Sequence, residues 1–190
     1  GVRLLNLVGQ AGGGAGVYSS EQVAALNPDR YYQGTWEKAT PESAKSFSAV
    51  GWYFGKRLNQ QLDTPIGLIS MPVGGSPIEA WISEDALRSH QELQALLTRN
   101  WLDHPLLGDS CRMRAEQNLI ELMARGEEIP FDPNGPLHPF KPGYLWKAGV
   151  DRVLPFAMRG VIWYQGESNA ETPQRVAQYE PLFHLMVSDW

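Results

Sequence analysis

Three short apolar runs have the length and composition of buried β-strands, at residues 2–8, 66–71 and 160–164. The run at 66–71 is apolar on both of its faces, which is typical of a central parallel strand that is covered on both sides. A glycine or a polar residue follows each run within three positions. The pattern therefore predicts three strands of a parallel sheet.

Apolar residues recur at helical spacing between these runs. The first helical segment begins after Thr40, a capping residue, has Pro41 in its first turn and runs to Leu62. Gly51 and Gly55 lie four residues apart on its apolar face, where they allow close approach to a sheet. Further helices are predicted at 83–97, 109–126, 144–156 and from 173 onward, and loops at 10–34 and in the proline-rich segment 128–144.

The helix that is predicted to start at Asp109 runs through Met113, Ile120 and Met123 at helical spacing and is closed by Gly126. The alternation of strands and helices predicts an α/β fold with a parallel sheet covered on both faces. The composition does not change along the chain and no internal repeat is present. We therefore expect one domain without an internal boundary.

Two loops rich in glycine and polar residues follow predicted strands, at the sheet edge where α/β proteins bind ligands. Gly74 and Gly75 could turn backbone N–H groups toward a ligand, as an oxyanion hole requires, or could form a plain turn. In the second loop, Glu167 could orient a histidine or act as a general acid or base. Gln165 and Asn169 offer amide donors to a developing negative charge. The alternative for this second loop is a solvated turn that caps the next helix.

Composition and charge exclude several classes of protein. A net charge of −5 without a run of Lys or Arg argues against nucleic-acid binding. A hydrophobic fraction of 43% with 7 Trp, 7 Tyr and 6 Phe excludes a disordered chain. No run approaches the length of a membrane span. The single cysteine, Cys111, excludes an internal disulfide and a multi-cysteine zinc site.

Other chemistry-bearing residues give weaker signals. Cys111 lies near a predicted helix start, which could lower the pKa of its thiol, although a lone helical cysteine is more often a small hydrophobe. No Gly-x-Ser-x-Gly motif is present, and the glycine-rich run 9–14 matches neither a P-loop nor a dinucleotide-binding motif. The histidines lack metal-ligand spacing: His90, His104, His138 and His184. The residues themselves therefore indicate no metal, cofactor or nucleophile.

Five blocks of the sequence have a recognisable order, at residues 40–43, 47–55, 65–69, 74–81 and 160–170. In these blocks and in their order, the sequence resembles the sialate O-acetylesterase family, a branch of the SGNH-type carbohydrate acetylesterases. The resemblance implies a flavodoxin-like three-layer fold and removal of O-acetyl groups from sugars, without a metal or other cofactor. It also implies that Gly74 and Gly75 donate hydrogen bonds to an oxyanion. Gln165 and Glu167 would have catalytic roles, with Glu167 as the acidic partner of a catalytic histidine. Asn169 would have a weaker role in substrate binding.

Two blocks of that family are missing from this sequence. In that family the nucleophilic serine lies in a Gly-Gln-Ser-Asn block, and the catalytic histidine lies in an Asp-x-x-His block. The only similar start of a serine block here is Gly9-Gln10, which is followed by Ala11 instead of a serine. We therefore expect residues 1–190 to be the central part of a single esterase domain, with an incomplete sheet that other segments of the same protein complete. By itself this polypeptide is expected to be inactive, marginally stable and prone to associate.

The expected partner is an O-acetylated sugar, with no nucleic acid and no membrane. A non-catalytic carbohydrate-binding remnant, or an inactive fragment of such an esterase, is the alternative. The resemblance implies a periplasmic, secreted or lysosomal location, which the single cysteine does not settle.

Overall fold

The computed structural model describes residues 1–14 and 16–190 and has a mixed α/β architecture. The strands are β1 (Val2–Asn6), β2 (Val8–Gly9), β3 (Tyr32–Gln33), β4 (Trp36–Lys38), β5 (Ile66–Ser70), β6 (Phe131–Asp132) and β7 (Gly135–Pro136). The helices are α1 (Ser20–Ala24), α2 (Pro41–Lys45), α3 (Ala49–Leu62), α4 (Glu84–Ser89), α5 (Asp109–Ala124), α6 (Asp151–Val153) and α7 (Pro173–Asp189). Short 3₁₀ turns lie at Ile78–Trp81, Leu93–Leu97, Trp101–Asp103 and Glu167–Asn169, and a π-helical turn at Trp146–Val150.

The chain forms two compact units. The first comprises Gly1–Gly9 and Tyr32–Pro72, and the second comprises Gln10–Tyr31 and Val73–Trp190. The single esterase domain expected from the sequence stays a prediction.

The first unit is built on a three-stranded sheet in the order β4-β1-β5. β1 runs parallel to β5, with Val2 opposite Ile66 and Asn6 opposite Ser70, and antiparallel to β4. The predicted parallel pairing of the first two strands is thus confirmed. The predicted central place of β5 is wrong, because β5 is an edge strand of this sheet and most of its residues are only half-buried.

The helical segment predicted at 40–62 is two helices rather than one. Thr40 and Ser43 form a capping box at the start of α2, as the Thr40 signal predicted. Ser48 then caps α3 by accepting a hydrogen bond of 3.2 Å from the Gly51 N–H, so the chain breaks between the two caps. Gly55 allows α3 to lie against β5, since a Cβ there would come within 2.6 Å of the Leu68 side chain.

The second unit is mainly helical and contains most of the largest fully buried side chains, among them Tyr31, Trp101, Phe140, Leu145 and Leu182. The segment 10–34, predicted as a loop, contains α1 and ends in β3. The helix predicted at 83–97 ends at Ser89, and a 3₁₀ turn follows at Leu93–Leu97.

Within the described residues no helix is long and apolar enough to cross a lipid bilayer.

The third predicted strand is wrong. Residues 160–164 form no strand, and Val161, Ile162 and Tyr164 are exposed, the last to 84%. A strand needs a neighbour for its N–H and C=O groups, and among the described residues of the second unit only β6 and β7 pair with each other. The apolar run therefore lacks the partner that would bury it.

The helix predicted from Asp109 is confirmed as α5, but the apolar residues whose spacing predicted it lie outside its buried face. Met113, Ile120 and Met123 are each more than half exposed. The buried face is formed instead by Cys111, Ala115, Asn118, Leu119 and Leu122. Both faces of this helix carry apolar residues, so helical spacing alone did not identify the inner face.

Candidate functional site

The two loops that the sequence singles out lie in direct contact within the second unit. We call residues 73–78 the glycine loop and residues 165–169 the Gln165 loop. Ser168 Oγ donates a hydrogen bond of 2.9 Å to the Gly75 carbonyl oxygen. Gln165 Nε2 donates to the Ser76 carbonyl at 3.1 Å, and Asn169 Oδ1 accepts from the Ile78 N–H at 2.9 Å. Three hydrogen bonds therefore join the two loops.

The glycine loop is a tight turn with two exposed glycines. Gly75 has a φ of +77°, a left-handed conformation that favours glycine. The turn is closed by Ser76, whose N–H and Oγ both donate to the Val73 carbonyl, at 3.3 and 2.7 Å. Gly74 and Gly75 are exposed, and in the part of the chain that the structure describes neither N–H donates to an acceptor. These two donors can therefore meet an oxyanion.

The predicted residues of the Gln165 loop differ in exposure. Glu167 begins the 3₁₀ turn and is exposed, so its carboxylate is open to a partner. Gln165 is half-buried, and its amide hydrogens go to Ser76 O and to Asn169 Oδ1 at 2.8 Å. Asn169 is only 1% exposed. The catalytic roles of Gln165 and Glu167 and the substrate contact of Asn169 stay predictions.

A buried ion pair beneath the loops was not predicted from the sequence. Glu79 is 0% exposed, and its Oε1 accepts a bond of 2.6 Å from Arg175 Nη2. Its Oε2 accepts from Asn169 Nδ2 at 2.9 Å. The available signal was an acidic residue between Ile78 and Ala80 in an otherwise apolar stretch, because Glu is rarely buried without a charged partner.

Aromatic residues contact the start of the Gln165 loop. Trp163 packs edge-on against both Trp81 and Trp190, with ring centroids 5.9 and 5.8 Å apart. Its indole N–H donates to the Tyr179 hydroxyl at 3.2 Å, and that hydroxyl donates to the Gln165 carbonyl at 2.8 Å. The start of the Gln165 loop is therefore anchored on α7.

Cys111 lies under the glycine loop, with its Sγ 3.7 Å from the Gly75 carbonyl oxygen. Burial, assisted by the carboxylates of Glu79 and Glu171, raises the pKa of the thiol to about 12. The suggestion that a helix start lowers this pKa is wrong, because desolvation outweighs it. The thiol is thus a buried, protonated group.

His138 is buried and neutral, since burial lowers the pKa of its imidazole to about 3. Its Nδ1 accepts from the Phe140 N–H at 3.0 Å, so the ring proton lies on Nε2, which faces the Tyr18 hydroxyl at 3.0 Å and Asn118 Oδ1 at 3.1 Å. The Tyr18 hydroxyl donates onward to the Gly12 carbonyl. This histidine therefore anchors the glycine-rich segment.

No group of three His, Cys, Asp or Glu side chains among the described residues could hold a metal ion.

The fold has a counterpart among solved structures of carbohydrate acetylesterases. The chain is similar along its whole length to a carbohydrate acetylesterase from Xanthomonas citri, with a TM-score of 0.53 and 23% sequence identity, and it covers 30% of that chain. No protein-family model matches the sequence.

Sequence similarity identifies the family. Sialate O-acetylesterases from Pongo abelii and Homo sapiens are 30% and 31% identical to the chain, over 91% and 82% of its length. The mouse protein of the same name is 33% identical over 75% of the chain. The chain belongs to the sialate O-acetylesterase family, and it spans about a quarter of the length of these relatives, 29%, 24% and 25% respectively.

Proposed function

We propose that this chain is the central part of a carbohydrate O-acetylesterase that releases acetate from O-acetylated sugars, with O-acetylated sialic acid as the first substrate to test. Its complete domain is of the SGNH type, with a flavodoxin-like parallel sheet that other segments of the same protein complete. Those segments supply the nucleophilic serine and the catalytic histidine. The 190 residues alone are therefore inactive.

The observation that carries the proposal is the contact between the glycine loop and the Gln165 loop. Ser168 Oγ and the Gly75 carbonyl oxygen are 2.9 Å apart, and Ser168 follows Glu167, whose carboxylate is exposed. The N–H groups of Gly74 and Gly75 donate to no acceptor among the described residues. An acyl-transfer site needs donors for an oxyanion and an acid that orients a histidine. The contact between the two loops that carry these groups supports the proposal.

The reaction then divides between this chain and the remaining segments. The serine oxygen attacks the acetyl carbonyl carbon while the histidine takes the hydroxyl proton. The resulting oxyanion accepts hydrogen bonds from the N–H groups of Gly74 and Gly75, and Glu167 holds the histidine and stabilises its protonated form. The bond between the acetyl carbon and the sugar oxygen then breaks, and the histidine gives its proton to that oxygen, so that the sugar leaves as a free hydroxyl. Water attacks the remaining acetyl-serine ester, which releases acetate and restores the serine hydroxyl.

Reading the coding sequence beyond both ends tests the division of roles. A Gly-Gln-Ser block upstream and an Asp-x-x-His block downstream are expected. Incubation of the 190 residues with an aryl acetate is the biochemical counterpart, and no turnover is expected. Turnover by the isolated chain would mean that the nucleophile lies within it.

A non-catalytic carbohydrate-binding remnant is the second candidate. It is favoured by the exposed ring of Tyr164, next to the Gln165 loop, because exposed aromatic faces offer apolar area to a ligand. Stop codons or unrelated sequence in place of the two missing blocks would favour this candidate.

A further inference from the structure

The buried pair of Glu79 and Arg175 calls for a physical explanation. Their side chains are 0% and 5% exposed and their charged atoms are 2.6 Å apart. Removing two charges from water opposes folding, so a buried ion pair is weak evidence for stability. What the pair holds in place is therefore more informative than its own strength.

The pair fixes the orientation of the Asn169 amide. An ionised Glu79 can only accept, so the atom facing its Oε2 at 2.9 Å must be Asn169 Nδ2. A backbone N–H can only donate, so the atom facing Ile78 N at 2.9 Å must be Asn169 Oδ1. Both constraints select the same orientation of the amide.

This orientation in turn fixes Gln165. Asn169 Oδ1 and the Ser76 carbonyl oxygen both face the Gln165 amide, at 2.8 and 3.1 Å, and both are acceptors. Only the NH₂ end of Gln165 can face them, which leaves Oε1 pointing away, buried and without a hydrogen-bond partner among the described residues. If the Gln165 amide were reversed, its Oε1 would face the two acceptor oxygens, Asn169 Oδ1 and the Ser76 carbonyl, with no hydrogen between them.

We propose that Glu79 and Arg175 are positioning residues, which act through Asn169 to hold the glycine loop and Gln165 in the geometry that the reaction uses. The inference rests on the proposed function for its catalytic consequence. The hydrogen-bond chain itself is independent of that function. Arg175 completes the assembly by donating from Nη1 to the Leu106 carbonyl at 2.8 Å, so that the pair is tied to a further loop.

A reciprocal exchange of acid and amide tests the proposal. E79Q sets an NH₂ group against Asn169 Nδ2, and N169D sets a carboxylate against Glu79. In the double variant E79Q/N169D, the amide introduced at position 79 donates to the carboxylate introduced at position 169 and still accepts from Arg175. Each single variant thus breaks the chain, and the double variant restores every hydrogen bond between these three positions with the same total charge.

Hydrogen exchange at the Ile78 amide is the direct readout, because this N–H is bonded to Asn169. In the protein at its natural length, each single variant should speed Ile78 exchange about tenfold or more and lower kcat/KM by about tenfold through misplacement of the loop. The double variant should return both quantities to within about threefold of wild type.

Two further variants separate positioning from general destabilisation. D132N removes the ion pair between Asp132 and the buried side chain of Lys141, whose charged atoms are 2.8 Å apart. This variant should lower Tm. At temperatures well below Tm, however, it should not speed hydrogen exchange at the Ile78 amide. R175K keeps a positive charge beside Glu79 and should protect the Ile78 amide better than R175M does. These comparisons remain informative if the double variant does not fold.

The outcomes distinguish this inference from the proposed function. A folded double variant with unprotected Ile78 overturns the positioning role, as does R175M with wild-type Ile78 exchange. Full kcat/KM in E79Q despite fast Ile78 exchange also overturns it. If Ile78 exchange follows the expected pattern but the wild-type protein releases no acetate, the hydrogen-bond chain stands and the proposed function fails.

Discussion

Ser168 Oγ donates a hydrogen bond of 2.9 Å to the carbonyl oxygen of Gly75, a residue 93 positions earlier in the sequence. This bond occupies the carbonyl oxygen of Gly75, whereas the Gly75 N–H donates to no acceptor among the described residues. Two loops that are remote in sequence are thereby joined at the point where the candidate oxyanion donors lie.

Replacement of Ser168 by alanine should loosen this junction. Loss of one hydrogen bond to a neutral carbonyl lowers the free energy of unfolding by about 1 kcal/mol. Urea denaturation of S168A measures the loss. Ser188 serves as a matched control, because its hydroxyl bonds to the His184 carbonyl on an exposed turn of α7, where alanine should change stability by less than about 0.5 kcal/mol. Equal losses in the two variants would contradict the account.

Alanine substitutions at Gly74 and Gly75 should differ in their effect on stability. Gly75 has a φ of +77° and a Cβ there would lie 3.2 Å from the Phe140 ring, so G75A should lower the free energy of unfolding by about 1–2 kcal/mol. At Gly74 no described atom lies within 4 Å of the Cβ position, so G74A should be nearly neutral. The same denaturation assay compares them. A larger loss for G74A is the contrary result.

The buried imidazole of His138 should make the protein sensitive to acid. Burial lowers its pKa from 6.5 to about 3 in the folded state, so below pH 6.5 the unfolded chain binds a proton that the folded chain refuses. This contribution to stability is complete above pH 6.5 and is lost as the pH falls toward 3. Each unit of pKa difference is about 1.4 kcal/mol, so the loss by pH 4 reaches several kcal/mol.

Denaturation at pH 7 and pH 4.5 tests this dependence. H138N should be less stable at pH 7, because Tyr18 and Asn118 lose their partner, and should lose less stability on acidification than wild type does. His184 on α7 is an exposed control, and H184Q should leave the difference between the two pH values unchanged. An unchanged difference in H138N would contradict the assignment.

The exposed apolar run at 160–164 should make the isolated chain associate. Val161 and Ile162 are about half exposed and form no strand, so they can pair with another copy. Analytical ultracentrifugation of the 190 residues should detect oligomers at micromolar concentration, and I162K should reduce them. A stable monomer with a sharp, cooperative melt would contradict both this prediction and the expectation that other segments complete the sheet.

Local signals of the sequence identified most helix starts. Thr40, Ser83 and Thr172 each cap the helix that was predicted to follow, because a capping hydroxyl acts on amides two or three residues away. The parallel pairing of β1 with β5 also followed from their apolar character. The failure at 160–164 has a different origin, because an apolar run specifies that it will be buried but not which neighbour buries it.

The two loops of the candidate site were predictable from the sequence, but the buried ion pair that supports them was not. Glycine, amide and carboxylate residues after apolar runs indicated Gly74, Gly75 and Gln165 as neighbours at one edge. The pair of Glu79 and Arg175 is 96 positions apart, and no periodicity links them. Two residues so far apart in the sequence come into contact only in the tertiary fold. The pattern of residues along the chain therefore does not predict such ion pairs.

Acetate release by the protein at its natural length tests the central claim most directly. We predict turnover of O-acetylated sialic acid, a loss of about 10²–10⁴-fold in kcat for E167Q because the histidine loses its orienting acid, and no change for E180Q, an exposed carboxylate on α7. Full activity in E167Q, or no release of acetate from any O-acetylated sugar by the wild-type protein, would contradict the account.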